Sequence, residues 1–320
     1  MKIIFMGTPD LARVTLEAVY NHPEAEVAAV VTQPDRAKGR GMKLIPPPVK
    51  EFALEHGIPV YQPTTLRDGA FQETLDEIQP DMIIVVAYGK ILPRYVLDYP
   101  KYGCVNAHGS LLPKFRGAAP IQRAIMEGEV VTGITAMYMD DGIDTGDMIL
   151  THTCDITEDD NFETLHDKLA VLAGRAMYDV IDETLAGTVT RTPQPADGAT
   201  YAAKIEKEDC VVDFTRSPRE LFNFIRGLSP MPCAMTKTPD GKLLKLCTSV
   251  VLDGECDAPA GQVLELDTAG DGKIVISCGS ASCGNGRIAV TSVVPEGKKR
   301  MAAADFIRGR KLNVGDILTY

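Results

Sequence analysis

Three short runs in the first part of the chain are almost continuously apolar: residues 2–6 (Lys-Ile-Ile-Phe-Met), Val27–Thr32 and Met82–Ala87. A strand with one face in water alternates polar and apolar residues. An unbroken run needs cover on both faces, which is the habit of parallel strands. Amphipathic helical patterns lie between the runs, near Leu11–Asn21, Val49–His56 and Phe71–Ile78. This alternation predicts an α/β fold built on a doubly wound, Rossmann-like and mostly parallel sheet. Its ligand crevice is expected at the carboxyl ends of the strands. Gly7 ends the first strand, and Thr8-Pro9 suits an N-cap followed by proline at the first helical position. The G-x-G-x-x-G spacing is absent, which argues against a dinucleotide site.

Further along, Asn161–Leu185 reads as a long helix that packs on the sheet. Arg191-Thr-Pro193-Gln-Pro195-Ala-Asp-Gly198 is rich in helix breakers and reads as a linker. After Tyr201 the texture changes. A single helix near Ser217–Gly227 precedes short strands at Lys242–Val251, Gly261–Glu265, Lys273–Ser277 and Arg287–Val294, which predicts a small β-barrel or sandwich. The expected division is a first domain over 1–189, a linker over 190–203 and a second domain over 204–320.

The 320 residues are 45% hydrophobic and 24% charged, ordinary values for a globular protein. No apolar stretch approaches the ~20 residues of a membrane span, and the apolar start is too short for a signal peptide. The eight cysteines are scattered without a C-x-x-C pair, which suits free thiols in a reducing cytosol and a cytoplasmic protein. The net charge of −11 is unevenly spread. Residues 204–320 hold 16 Lys and Arg against 15 Asp and Glu, so the acidity lies in the first 203. Local contact with RNA survives such an imbalance because fields decay within ~10 Å at 0.1 M salt, but broad nonspecific affinity does not.

The chemistry is concentrated in one run, Asn106-Ala-His108-Gly-Ser110-Leu-Leu-Pro113-Lys-Phe-Arg116-Gly117, followed by Asp140-Asp-Gly-Ile-Asp144-Thr-Gly-Asp147. An amide, an imidazole and a carboxylate beside glycines could bind a carbonyl oxygen, stabilise the charge that develops on it and relay a proton. No serine or cysteine is placed as in a G-x-S-x-G elbow, so an acyl group would pass directly between two bound substrates. Each residue has a second reading. Asn106 could cap the following loop, and His108 could be a satisfied structural histidine. Asp140, Asp141 and Asp147 compete with Asp144, and such a cluster of acids could instead bind a metal. His22, His56, His152 and His166 have no comparable setting.

The same run resembles the signature of the 10-formyltetrahydrofolate-dependent formyltransferases: an Asn-x-His pair, a Ser-Leu-Leu-Pro segment and a later Asp. Gly7-Thr-Pro-Asp10, Thr32-Gln-Pro-Asp-Arg36, Gly39-Arg-Gly41, Pro47-Pro-Val-Lys50, Val86-Ala-Tyr-Gly89 and Arg116-Gly-Ala-Ala-Pro-Ile-Gln122 resemble the members that act on charged tRNA. The likeness is close over most of 1–205 and looser beyond. It implies 10-formyltetrahydrofolate as formyl-donor co-substrate, no metal, and the amino group of methionyl-initiator tRNA as acceptor. It also implies an OB-like barrel for the second domain and a protein that works as a monomer.

By residue, it gives Asn106 the role of oxyanion donor and His108 that of second donor or acid–base group. Asp144 would orient and tune His108, directly or through a water. The folate pocket falls to Ser110, Leu111, Leu112 and Pro113, with Tyr88, Gly89, Ile91 and Leu92. Four cations in eight residues, Arg36, Lys38, Arg40 and Lys43, form a basic loop for the acceptor stem, with Arg40 the first choice for contact. A solvated surface loop is the alternative. Lys298, Lys299 and Arg300 supply a second basic region. Such contacts position RNA through its phosphates.

The chain departs from the family pattern in having no tryptophan: Phe115 and Ser229-Pro-Met-Pro232 stand where tryptophans are often found. A transferase for amino-sugar nucleotides would share the Asn-x-His core, but the basic Arg36–Lys43 loop argues against it. A purine-pathway relative would not need the second domain. A noncatalytic folate- or RNA-binding protein would not need all three polar groups.

Overall fold

The computed structural model describes residues 1–38, 43–280, 282–309 and 311–320. The chain divides into two compact units. The first comprises Met1–Pro120, Val131–Asp155 and His166–Ala202; the second comprises Ile121–Val130, Ile156–Leu165 and Ala203–Tyr320.

The first unit opens with β1 (Lys2–Gly7), α1 (Asp10–Tyr20) and β2 (Glu26–Val31). A small ribbon of β3 (Arg36–Lys38) and β4 (Lys43–Ile45) follows, then α2 (Pro48–Glu55), β5 (Val60–Tyr61), α3 (Phe71–Ile78) and β6 (Met82–Val86). The short α4 (Arg94–Leu97) leads to β7 (Cys104–His108). After α5 (Pro120–Met126), which from Ile121 on belongs to the second unit, come β8 (Val131–Tyr138), β9 (Met148–Asp155) and the long α6 (Phe162–Ala186), which joins the first unit from His166 on. The sheet runs β5-β2-β1-β6-β7-β8-β9. Its first five strands are parallel, and β8 and β9 run antiparallel at the far edge. The strand order reverses beside β1, so the sheet is doubly wound as predicted.

The apolar runs form strands because both faces are buried. Ile4, Met6, Ala29, Val31, Ile83 and Val85 face one side and pack with Phe71 and Leu75 of α3. Each such side chain contributes about 1.5–3 kcal/mol when fully buried. Gly7 has a packing reason: an added Cβ would lie 2.7 Å from Ala12 Cβ and 2.9 Å from the Val86 carbonyl oxygen.

The start of α1 differs from the expected cap. Pro9, not Thr8, precedes the helix, and no side chain caps it. The Thr8 hydroxyl instead donates to the Tyr88 carbonyl and accepts the Gln33 N–H, both at 3.4 Å. Neighbouring strand ends have recruited the group that the helix could have used. The basic segment is also more regular than a loop, since its described flanks pair as β3 and β4. Arg40 lies outside the described residues, and of Lys38 and Lys43 only the backbone is described.

The second unit contains α7 (Pro218–Gly227), β10 (Ala234–Lys237), β11 (Leu243–Leu252), β12 (Val263–Asp267) and β13 (Lys273–Cys278). It continues with β14 (Gly286–Pro295), β15 (Met301–Ala302) and α8 (Ala303–Arg308), a second helix that the sequence reading omitted. Ser217 and Glu220 form a capping box at α7, with Pro218 in the first turn. The antiparallel order is β10-β11-β14-β13-β12. Residues near the C-terminus bridge both edges, Thr319 to Lys237 of β10 and Ile317 to Gln262 beside β12. That closure gives the antiparallel sheet its barrel character and covers edges that would otherwise be open.

Candidate active site

β7 sets the site. Asn106 and His108 are two residues apart on a pleated strand, so their side chains share one face. Both are held in the ladder: Asn106 pairs with Val85 of β6 and Met137 of β8, and His108 pairs with Thr135. The loop-capping reading of Asn106 therefore gives way to a strand position. His108 is buried and Asn106 half-buried.

His108 Nε2 lies 2.9 Å from the Phe115 carbonyl oxygen. A carbonyl can only accept, so Nε2 carries the proton and Nδ1 is left facing Asp144 Oδ2 at 3.5 Å. Asn106 Nδ2 is also 3.5 Å from Asp144, at Oδ1. Both distances exceed those of a well-formed hydrogen bond. The firm bond to Asp144 comes from the Gly117 N–H, which donates to Oδ2 at 2.8 Å. The Phe115 carbonyl thus orients the ring more firmly than Asp144 does, a refinement of the expected arrangement.

Asp144 and Phe115 sit at φ +54° and +60°, in the left-handed region. For non-glycine residues such a conformation costs on the order of 1–3 kcal/mol and persists where surrounding bonds enforce it. Two of the competing acids are engaged elsewhere. Asp140 accepts from the Thr145 hydroxyl and the Gly142 N–H, and Asp141 pairs with Arg94. Among the described residues, Asp144 is the carboxylate that faces both Asn106 and His108.

The Ser110–Pro113 segment is pinned from below. Thr135 Oγ1 donates to the Ser110 carbonyl at 2.7 Å and accepts the Leu112 N–H at 3.1 Å. The Ser110 hydroxyl is committed to the Lys114 carbonyl at 2.6 Å. Leu112 is buried, while Leu111 and Pro113 are half-buried. Beyond β6, the side chains of Tyr88 and Leu92 belong to the core, Gly89 turns at φ +78°, and Ile91 is exposed. Burial, with Tyr95 nearby, pushes the Tyr88 phenol up to about 12 and removes it as an acid–base candidate near neutral pH.

A polar chain links this loop to the root of the β3–β4 ribbon. Gln33 Nε2 donates to the Tyr88 carbonyl at 2.9 Å, and Gln62 Nε2 donates to the Gln33 carbonyl and to Asp35, each at 2.8 Å. Lys50 bridges Asp35 and Gln62. Its ammonium, with the Gln62 amide, holds the Asp35 carboxyl below the usual carboxylate range. Arg36 begins the ribbon and is exposed. In the second unit Lys298, Lys299 and Arg300 are exposed in the turn between β14 and β15, where Arg300 Nε donates to Ser292 Oγ at 2.8 Å.

Sequence reasoning missed Thr135, Gln33, the Phe115 carbonyl and the Gly117 N–H. Gly117 carried a signal: at φ +113° an added Cβ would lie 2.8 Å from the Ala202 carbonyl oxygen. The others are ordinary residues whose roles arise only from the fold.

The formyl transferase family matches residues 1–181, and the formyl transferase C-terminal domain matches residues 204–311. The chain is 44% identical over 315 residues to a methionyl-tRNA formyltransferase of Geobacter metallireducens, covering 98% of this chain and 97% of the relative. It is 43% identical over 317 residues to a methionyl-tRNA formyltransferase of Bacillus subtilis, covering 99% and 97%. Its fold is similar to that of a solved N-formyltransferase from Helicobacter canadensis in complex with folinic acid and dTDP-3-aminofucose. That match has a TM-score of 0.65 and 19% identity, covering 91% of this chain and 98% of the other. With both of its halves matched and relatives of this kind aligned along nearly all of it, the chain belongs to the formyl transferase family.

Proposed function

We propose that this enzyme transfers a formyl group from 10-formyltetrahydrofolate to the amino group of methionyl-initiator tRNA. The acceptor reading is supported by the full-length relatives named methionyl-tRNA formyltransferase. The observation that carries the chemistry is the convergence of Asn106, His108 and Asp144 on one face at the end of β7.

The reaction needs a neutral amine, and a free α-amino group with pKa ~7.7–8.0 supplies an appreciable fraction at neutral pH. Attack on the formyl carbon creates an oxyanion. Asn106 Nδ2 donates to it, and one well-placed donor is typically worth about 2.7–4 kcal/mol. His108 takes up the proton leaving the amine through Nδ1, the nitrogen not committed to Phe115. Asp144 stabilises the imidazolium that results, which returns the proton to N10 of the folate as the formyl C–N10 bond breaks and tetrahydrofolate leaves. The 3.5 Å contacts are compatible with these roles, since catalytic hydrogen bonds tighten when substrate binds.

Ser110–Pro113 and the Tyr88–Leu92 loop hold the folate. The basic segment of Arg36, Lys38, Arg40 and Lys43, with Lys298–Arg300, meets tRNA phosphates. Residues 1–189 form the catalytic domain, 190–203 the linker and 204–320 the tRNA-binding domain. The enzyme acts as a monomer in the cytoplasm.

The test is formyl transfer from labelled 10-formyltetrahydrofolate, with methionyl-initiator tRNA and an amino-sugar nucleotide offered in parallel. Transfer to the tRNA is expected. Transfer to the sugar alone would overturn the acceptor assignment while leaving the catalytic trio standing.

A further inference from the structure

The segment from Thr192 to Ala202, rich in prolines and glycine, lies along two loops of the site. Thr192 bridges Met148, and Ala202 exchanges backbone bonds with Arg116 and Ala119. Thr200 adds a side-chain acceptor for the Phe115 N–H at 2.8 Å. Gln194 sits between them and uses its whole amide. Its Nε2 donates to the carbonyls of Asp144 and Gly146, both at 2.9 Å. Its Oε1 accepts from Arg116 Nε at 3.0 Å and Nη2 at 2.7 Å.

We infer that Gln194 is a positioning residue for the transfer reaction, holding Asp144 in its left-handed backbone conformation and tying that loop to Arg116. The inference rests on the catalytic reading of Asp144 given above. A carboxylate 3.5 Å from each of two partners owes its aim to its backbone and to the Gly117 N–H more than to those partners. Two carbonyls in one turn, at residues 144 and 146, need a double donor of this length. A primary amide supplies both N–H groups while its oxygen receives the guanidinium fork. Glutamate cannot substitute, because it would face two carbonyls with no donor.

The experiment is a double-mutant cycle in the full chain, using Gln194→Met, Asp144→Asn and the pair, with kcat, KM and Tm measured for each. Gln194→Met keeps the length and removes the polar contacts. Misplacing a reacting group by about 1 Å can cost on the order of 100-fold, and a loss of that order in kcat is expected, with the KM for folate little changed. Gln194→Glu is expected to lose rate similarly although it keeps the acceptor for Arg116. In the Asp144→Asn background the Gln194→Met penalty should largely vanish, because it acts through that carboxylate. Normal kcat in Gln194→Met beside an impaired Asp144→Asn would overturn this inference alone. Near-normal kcat in Asp144→Asn would overturn the catalytic reading and this inference with it. An equal penalty in both backgrounds would assign Gln194 to general structure and overturn the positioning role.

Discussion

Two kinds of histidine–aspartate pair occur in the first unit. His152 Nε2 meets Asp179 at 2.8 Å, and His22 Nε2 meets Asp182 at 3.1 Å, both against carboxylates of α6. The His108–Asp144 pair is looser, at 3.5 Å. Closeness therefore does not distinguish the pair assigned to catalysis; the second partner of the ring sets it apart from His22. His22 Nδ1 accepts the Glu24 N–H at 3.1 Å, so its ring faces one donor and one acceptor and is complete as a neutral group. The ring of His108 faces two acceptors, the Phe115 carbonyl and the Asp144 carboxylate. Both are matched only when the ring carries a second proton, the state that the proposed uptake of a proton from the amine would give it. The sequence reading gave the other histidines no comparable setting. His22 and His152 do have carboxylate partners, and His22, with a donor on its other nitrogen, lacks this arrangement.

Substitutions can break or sharpen that contrast. The largest effect is expected at His108. His108→Ala should lower transfer by about 10²–10⁴-fold, the usual range for an acid–base group, with folate binding largely retained. Near-normal turnover would erase the distinction between the pairs. His22→Ala should act oppositely, on stability. The ring is fully buried with both nitrogens bonded, and a buried partner left unmatched costs about 1–3 kcal/mol. Denaturant unfolding should show that loss while kcat stays within about twofold of wild type. A fall in kcat without a fall in stability would mean that α6 reaches the chemistry. His152→Ala should do least. That pair is partly exposed, and such pairs contribute about 0–1 kcal/mol. Unfolding and turnover should both stay close to wild type, and a large change in either would give this tight pair a role that its setting does not suggest.

Much of the fold was legible because burial on both faces leaves a direct mark in sequence. The runs at 2–6, 27–32 and 82–87 became β1, β2 and β6 to within a residue or so. The antiparallel edge was not. Along β9, Met-Ile-Leu-Thr-His-Thr-Cys-Asp gives no continuous apolar signal, and in β8 a glycine interrupts the run. Gly133 is small because a Cβ there would run into the backbone carbonyl of His152 on β9. The Asn106–His108 pair could be read from its spacing. The atoms that aim it could not, since the Phe115 carbonyl and the Gly117 N–H are backbone groups common to nearly every residue. Gln194 lay in a stretch whose prolines and glycine suggested a passive connection, and only the bonds it makes reveal otherwise.

The placement of Asn106 and His108 within β7, rather than in a loop after it, has a consequence for how the chain finds its native pairing. Their neighbours Val105 and Ala107 point to the opposite, apolar layer and are buried. A slip of one residue against β6 and β8 would exchange the two sets, carrying an amide and an imidazole into hydrocarbon. Strands made only of valine and alanine would pair almost as well either way. Here the groups assigned to the chemistry also act as proofreaders of the sheet, making the misaligned form costly before any substrate arrives.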